Sequence, residues 1–215
     1  NFALNRYIIM KKLLFLLPLL AIISCTNSNN PYKAKFNETE GCLECDNYIP
    51  GESFIVGGVR YEVADRAMLE TAIADGDDLT RYCTSRIGDM NRLFSKNDSF
   101  NQDISSWDVS NVIDMRAMFN EATAFNQDIG NWNVGDVANM SNMFYNAHNF
   151  NQDIGNWDVG DVANMNNMFY NAYAFDQDLT NWCVPQFWAA VPIGFSNSSA
   201  NSFPASNHPI WGTCP

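Results

Sequence analysis

A chain of 215 residues that is 47% hydrophobic and 17% charged can bury a core, which excludes wholesale disorder. Its formal charge of −12 argues against a nucleic-acid partner, because phosphate binding needs a basic face that releases counterions. The charge is also uneven: after Arg116 there is no Lys or Arg, while Glu121, Asp128, Asp136, Asp153, Asp158, Asp161, Asp176 and Asp178 remain, so this half should repel anionic surfaces and attract cations.

The first predicted element is an address. In MKKLLFLLPLLAIISC, running from Met10, the basic pair Lys11 and Lys12 precedes an apolar run from Leu13 to Ile23. That run has 11 residues against the roughly 20 a spanning helix needs, so it reads as the apolar region of a signal peptide, with upstream reading frame before Met10. Its ending, Ile22-Ile23-Ser24-Cys25, resembles the lipobox of bacterial lipoproteins. The resemblance implies a leader over 1–25, a diacylglyceryl group on Cys25, and an exported chain held at the outer membrane or cell surface by a lipid anchor. An ordinary cleaved signal with a nearby cysteine is the alternative. The polar, Asn-rich stretch after Cys25 suits a tether over 26–45.

Residues 46–78 are predicted to form a hairpin and a helix that cap the repeats beginning at residue 79. In SFIVGGVRYEV two alternating runs flank Gly57-Gly58, a strong hairpin signal. Asp65 can cap a helix to about Ala74, with Met68, Leu69, Ala72 and Ile73 on one stripe and Gly76 at its end.

Over residues 79–184 the chain repeats itself. Phe100, Phe125, Phe150 and Phe175, then Trp107, Trp132, Trp157 and Trp182, then Met90, Met115, Met140 and Met165 all recur at intervals of 25. Such a period predicts a solenoid, each unit burying its apolar side against its neighbours. Met140, Met143, Phe144 and Ala147 fall at helical spacing, and Ile129, Trp132 and Val134 suit a short buried strand. The expected fold is therefore an α/β repeat solenoid of leucine-rich-repeat-like coils, each a short parallel strand plus a short helix. Strands are expected at 77–84, 102–109, 127–134 and 152–159, with a degenerate fifth at 177–184, and helical turns at 89–95, 114–121, 139–146 and 164–171.

The words FNQDI..W.V..V..M..MF..A resemble the 25-residue repeat of BspA-like leucine-rich-repeat surface proteins of bacteria. That resemblance implies surface attachment and, for some members, adhesion. Residues 185–215, rich in Pro and aromatics, leave the repeat and are expected to fold over its last unit, with Cys183 bonded to Cys214 as a staple worth about 3 to 4 kcal/mol by loop closure. Cys42 and Cys45 suit a structural disulfide better than redox or zinc chemistry, and the partner of Cys83 stays open. With Cys25 lipidated, the odd count predicts one free thiol.

Residues repeated unit by unit form ladders. The Trp, Met and Phe ladders are expected in the core. Gln102, Gln127, Gln152 and Gln177 are expected to bond one another in an amide ladder. Asp103, Asp128, Asp153 and Asp178 would repel across the stack unless each accepts backbone N–H groups in its own unit, the favoured reading, or a row of calcium ions lies between them, the alternative. Slots that vary between copied units are not dictated by packing: Asn120, Glu121, Thr123, Tyr145, His148, Asn149, Tyr170 and Tyr173 form the candidate binding surface.

For catalysis the inventory is thin. The histidines are His148 and His208, and no nucleophile elbow, zinc-binding helix or phosphate loop is present. The sequence thus reads as a non-catalytic surface lipoprotein needing no cofactor, a repeat scaffold for a host or neighbouring-cell protein or glycan. Carbohydrate capture or degradation on aromatic platforms and a passive spacer are the alternatives.

Overall fold

The computed structural model describes residues 42–197 and 203–215, together with the backbone of 35–37. The expected leader and the lipidation candidate Cys25 lie outside the described residues. Among the described residues the strands and the α-helix lie in the N-terminal part, and short 3-10 helices at Pro185–Phe187 and Ala205–Asn207 lie in the C-terminal segment. Strands β1 (Lys35–Asn37) and β2 (Cys42–Glu44) pair antiparallel, so β2, which is buried, falls within the stretch expected as tether. Strands β3 (Ser53–Val56) and β4 (Val59–Val63) form the hairpin, and β5 (Tyr82–Cys83) joins β4 in parallel. The two-residue turn needs positive φ at both positions, and Gly57 and Gly58 adopt 59° and 81°.

Helix α1 (Arg66–Asp75) starts where the Met68 N–H donates to the Asp65 carboxylate at 2.9 Å, and it ends at Gly76 in the left-handed region at φ 76°. Its Leu69 and Ala72 are buried in the main core. A smaller core of Leu43, Cys45, Phe54, Val63 and Cys83 lies under the hairpin.

The α/β solenoid expectation is corrected by the backbone of the repeats. Between residues 84 and 184 there is no helix and no strand, only single parallel bridges linking Asp89, Asp114, Asn139 and Asn164 in series and one from Phe169 to Ser196. The 25-residue units are built from consecutive β-turns and stack on one another. In one unit the N–H groups of Trp132, Val137, Met143, Tyr145, Ala147 and Phe150 each donate to the carbonyl three residues earlier. That rhythm produces the i, i+3 apolar spacing that reads as helical.

Two physical reasons defeat the expected elements. The 139–146 segment is far shorter than the roughly 12 to 15 residues at which an isolated helix becomes marginally stable, and it is rich in Asn, a poor helix former. Every second N–H there leaves the unit instead: Met140, Asn142, Phe144 and Asn146 donate to the carbonyls of Asn164, Asn166, Met168 and Tyr170 at 2.9 Å each. The expected strand at 127–134 bends twice, since the Gly130 and Gly135 N–H groups donate to the side chains of Asp128 and Asn133.

Stacking aligns the apolar ladders. Phe94, Phe119, Phe144 and Phe169 stack with centroids 5.5, 5.7 and 5.5 Å apart, and Phe100, Phe125, Phe150 and Phe175 at 5.8 Å throughout. The four Trp of the ladder are buried, and each indole N–H donates to a carbonyl of the preceding unit: Trp107 to Leu79, Trp132 to Ile104, Trp157 to Ile129 and Trp182 to Ile154. One side chain thereby fills the core and adds a second hydrogen bond to a carbonyl that already closes a turn.

Both ends of the stack are closed. The first unit has carbonyls with no preceding unit to bond them, and the Arg66 guanidinium of α1 donates to two, Asp89 at 3.0 Å and Asn91 at 2.6 Å. At the other end the Asn167 and Phe169 N–H groups donate to the carbonyls of Ile193 and Phe195. Phe203 meets Phe175 edge-on at 4.9 Å.

Trp132→Ala removes a buried ring and its bond to the Ile104 carbonyl, which keeps the Trp107 N–H, and should cost about 3 to 5 kcal/mol in denaturant unfolding. Glu121 sits at φ 60°, where the next two units place Asn146 and Asn171 at 56°. Asn tolerates this conformation better than Glu, so Glu121→Asn should stabilise the chain by about 0.5 to 1 kcal/mol in the same assay.

Candidate functional site

Each unit turns at corners made by Asx turns, in which a side-chain oxygen accepts the N–H two residues on. In the first full unit the oxygens belong to Asp103, Asp108 and Asp114, in the second to Asp128, Asn133 and Asn139, and in the third to Asp153, Asp158 and Asn164. Asp178 repeats the motif with both the N–H and the hydroxyl of Thr180. The aspartate row is thus engaged within its own turns. Among the described residues no group of three His, Cys, Asp or Glu is placed to hold a metal ion.

The Thr180 hydroxyl holds the Asp178 carboxyl below the ordinary 3.8. A depressed carboxyl contributes stability above its unfolded value and loses it as pH falls through the folded one, so this turn weakens only in acid below 3.8.

The expected glutamine amide ladder is corrected. Gln102, Gln127, Gln152 and Gln177 donate their amides to the backbone carbonyls of Asp77, Asn101, Asn126 and Asn151 in the preceding unit, rather than to one another. Asparagines form the side-chain ladders instead. The Asn171 amide donates to the Asn146 Oδ1 at 2.9 Å and Asn197 to Asn171 at 3.2 Å. The Oδ1 atoms of Asn101, Asn126 and Asn151 accept the N–H groups of Asn126, Asn151 and Asp176. Sequence reasoning passed over these asparagines, although their recurrence at intervals of 25 was the available signal.

The structure brings the variable slots together at one corner of the stack. Tyr145 and Tyr170 stack with centroids 5.2 Å apart and planes within 8°, and His148 and Tyr173 at 4.7 Å and 25°. Asn120 occupies the Tyr145 slot one unit earlier, and Thr123 the His148 slot, its hydroxyl donating to the Asp98 carbonyl. The Asn149 N–H donates to the Thr123 carbonyl, and that of Ala174 to His148, so the backbone beneath the strip is pinned between units. Glu121 flanks the strip in the slot of Asn146 and Asn171.

Because the rings cover one another's faces along the stack, a partner meets ring edges and polar tips. This arrangement suits hydrogen bonding and edge contacts along an extended partner, not a ligand sandwiched between rings. The ladder Trp are buried and form no platform.

Cys183 is bonded to Cys214 and Cys45 to Cys83, so the second bridge ties the residue that follows β2 to β5. No cysteine among the described residues is free, which replaces the expected odd thiol. His208 is half-buried against Phe203 and Phe195 in the C-terminal segment, with Nε2 3.1 Å from the Ser196 hydroxyl. Among the described residues no helix is long and apolar enough to cross a membrane.

A family profile described as "Mycoplasma protein of unknown function, DUF285" matches residues 65–182, more than half of the chain. The chain belongs to the DUF285 family. Its matched region begins at the cap of α1 and ends at the last ladder Trp, so it takes in the helix that closes the first unit as well as the repeats. No curated protein and no solved structure matches this DUF285 chain.

Two measurements probe these arrangements. Asp128→Asn keeps an accepting oxygen and should be nearly silent, Asp128→Ala should cost about 1 kcal/mol, and calcium should raise Tm no more than matched ionic strength does. Burial lowers the His208 pKa below 6.5, so the neutral ring stabilises fully above 6.5 and that contribution is lost as pH falls through the folded value. Wild type should lose more Tm than His208→Gln between neutral and mildly acidic pH, and a parallel loss in both would contradict the assignment.

Proposed function

We propose that this chain is a non-catalytic, surface-presented repeat scaffold of the BspA-like kind that binds a protein or glycan of a host or neighbouring cell. The support at the N-terminus is the lipobox-like stretch ending at Cys25, which on this reading anchors an exported chain at the outer membrane or cell surface. What carries the binding role is the division of labour within each unit. Most residues copied from unit to unit are buried or bonded to their own or an adjacent unit, the exposed Asn131, Asp136, Asn156 and Asp161 being exceptions, whereas the slots that change gather at one corner as Tyr145, Tyr170, His148 and Tyr173. A scaffold under packing constraint alone has no need to place stacked, partly exposed tyrosines there.

The reading keeps the sequence words and surface role of BspA-like repeats and leaves aside their strand-and-helix coil. The ladder Trp take no part in recognition. Glycan and extracellular-protein arrays probed with the full chain test the proposal. Binding to at least one class should be lost in Tyr170→Ser with Tyr173→Ser, at a stability cost of about 1 kcal/mol or less. Binding that survives this double variant, or no binding above a shuffled-surface control, would overturn it.

A further inference from the structure

The C-terminal segment exposes an apolar surface that packing leaves uncovered. Residues 188–193 read Trp-Ala-Ala-Val-Pro-Ile, six consecutive residues without a polar side chain. Trp188 is 81% exposed, Val191 57% and Ile193 77%. Ile210, 58% exposed, belongs to a turn whose Gly212 lies against the Trp188 backbone. Isolated exposed apolar residues are ordinary, but a contiguous group led by a Trp is not.

This segment is fastened at both ends. The Gln186 amide donates to the carbonyls of Val159 and Val162, and the Ile193 N–H donates to the Asn166 Oδ1 at 2.7 Å. The segment therefore starts two residues after a side chain bonded to the carbonyls of Val159 and Val162, the residues next in sequence to the exposed Asp158 and Asp161.

Charge decides what fits. No Lys or Arg follows Arg116, so nothing in this half neutralises Asp158 and Asp161. A second copy of a chain carrying −12, or an anionic lipid surface, meets like charge at the rim, and a neutral bilayer gains nothing from the carboxylates. We propose that the 188–193 segment, with Ile210, Asp158 and Asp161, is a docking surface for a protein segment that carries Lys or Arg beside large apolar side chains. The apolar residues supply desolvation and the aspartates supply orientation and rate of encounter. The segment runs up to the tyrosine corner, where Gly194 lies against Tyr170, but the side chains proposed here are other residues than those of the corner.

The test uses the full chain and a synthetic peptide alternating Leu and Lys, with its Leu/Glu counterpart as control. The Leu/Lys peptide should bind saturably and the Leu/Glu peptide should not. Trp188→Ser with Ile193→Ser should weaken binding about tenfold or more, as loss of a central aromatic anchor does. Asp158→Asn with Asp161→Asn should weaken it severalfold at low salt and little at high salt, where surface charge is screened. The changed side chains are exposed and Asn still accepts the Gly160 N–H, so an unchanged Tm certifies the fold. Three results would each overturn the proposal: peptide binding indifferent to the Trp188 and Ile193 changes, sedimentation showing self-association that those changes abolish, or uptake onto phosphatidylcholine vesicles that depends on them while the peptide does not bind.

Discussion

The structure depends on one set of bonds: alternate backbone N–H groups of one unit donating to carbonyls 24 residues further on, as from Met115, Ala117, Phe119 and Glu121 to Asn139, Ser141, Met143 and Tyr145. These bonds set the spacing at which like side chains meet. They make a Phe stack on a Phe and a Trp reach the carbonyl behind it. They also dictate the composition, because the intervening N–H groups close β-turns inside the unit and force φ near 56° at Asn142, Asn146, Asn167 and Asn171. Asparagine is frequent for that reason: it tolerates the left-handed region and its side chain can bond the same residue one unit along.

A stack held this way has two unsatisfied ends, and the sequence outside the repeat answers each. At the start, Arg66 bonds the open carbonyls while Leu69 and Ala72 cover the first apolar layer. At the finish, the backbone of Ile193 and Phe195 accepts the last donors and Phe203 lies edge-on to the Phe columns. The disulfides obey the same logic, Cys45 with Cys83 near the first unit and Cys183 with Cys214 near the last. Cys183 with Cys214 joins the C-terminal segment to the last unit, where a unit has only one neighbour to hold it, and Cys45 with Cys83 fastens the smaller core under the hairpin.

Much of this was legible. The period, the buried Trp and Phe ladders, the hairpin at Gly57-Gly58 and the helix after Asp65 come from residue spacing alone. The conformation inside a unit was not. Apolar residues three apart satisfy a helix and a run of β-turns equally, and only the destination of each N–H separates them. The asparagines at 142 and 146 were the clue, being poor in helices and good in the left-handed region. The Gln ladder misled for a related reason: an amide at intervals of 25 can reach its own kind or the neighbouring backbone, and in this stack the carbonyls of Asn101, Asn126 and Asn151 were closer to hand. The candidate corner was legible as variation between copies, although the stacking of Tyr145 on Tyr170 needed the register between units.

The measurement that bears most directly on this architecture is through-hydrogen-bond scalar coupling in the isotopically labelled protein. The Phe144 and Asn146 amides should couple to the carbonyls of Met168 and Tyr170, with positive φ at Asn142. Coupling of the Phe144 amide to the Met140 carbonyl, with helical φ at Asn142, would show a helix in place of the turns and contradict the stack as described.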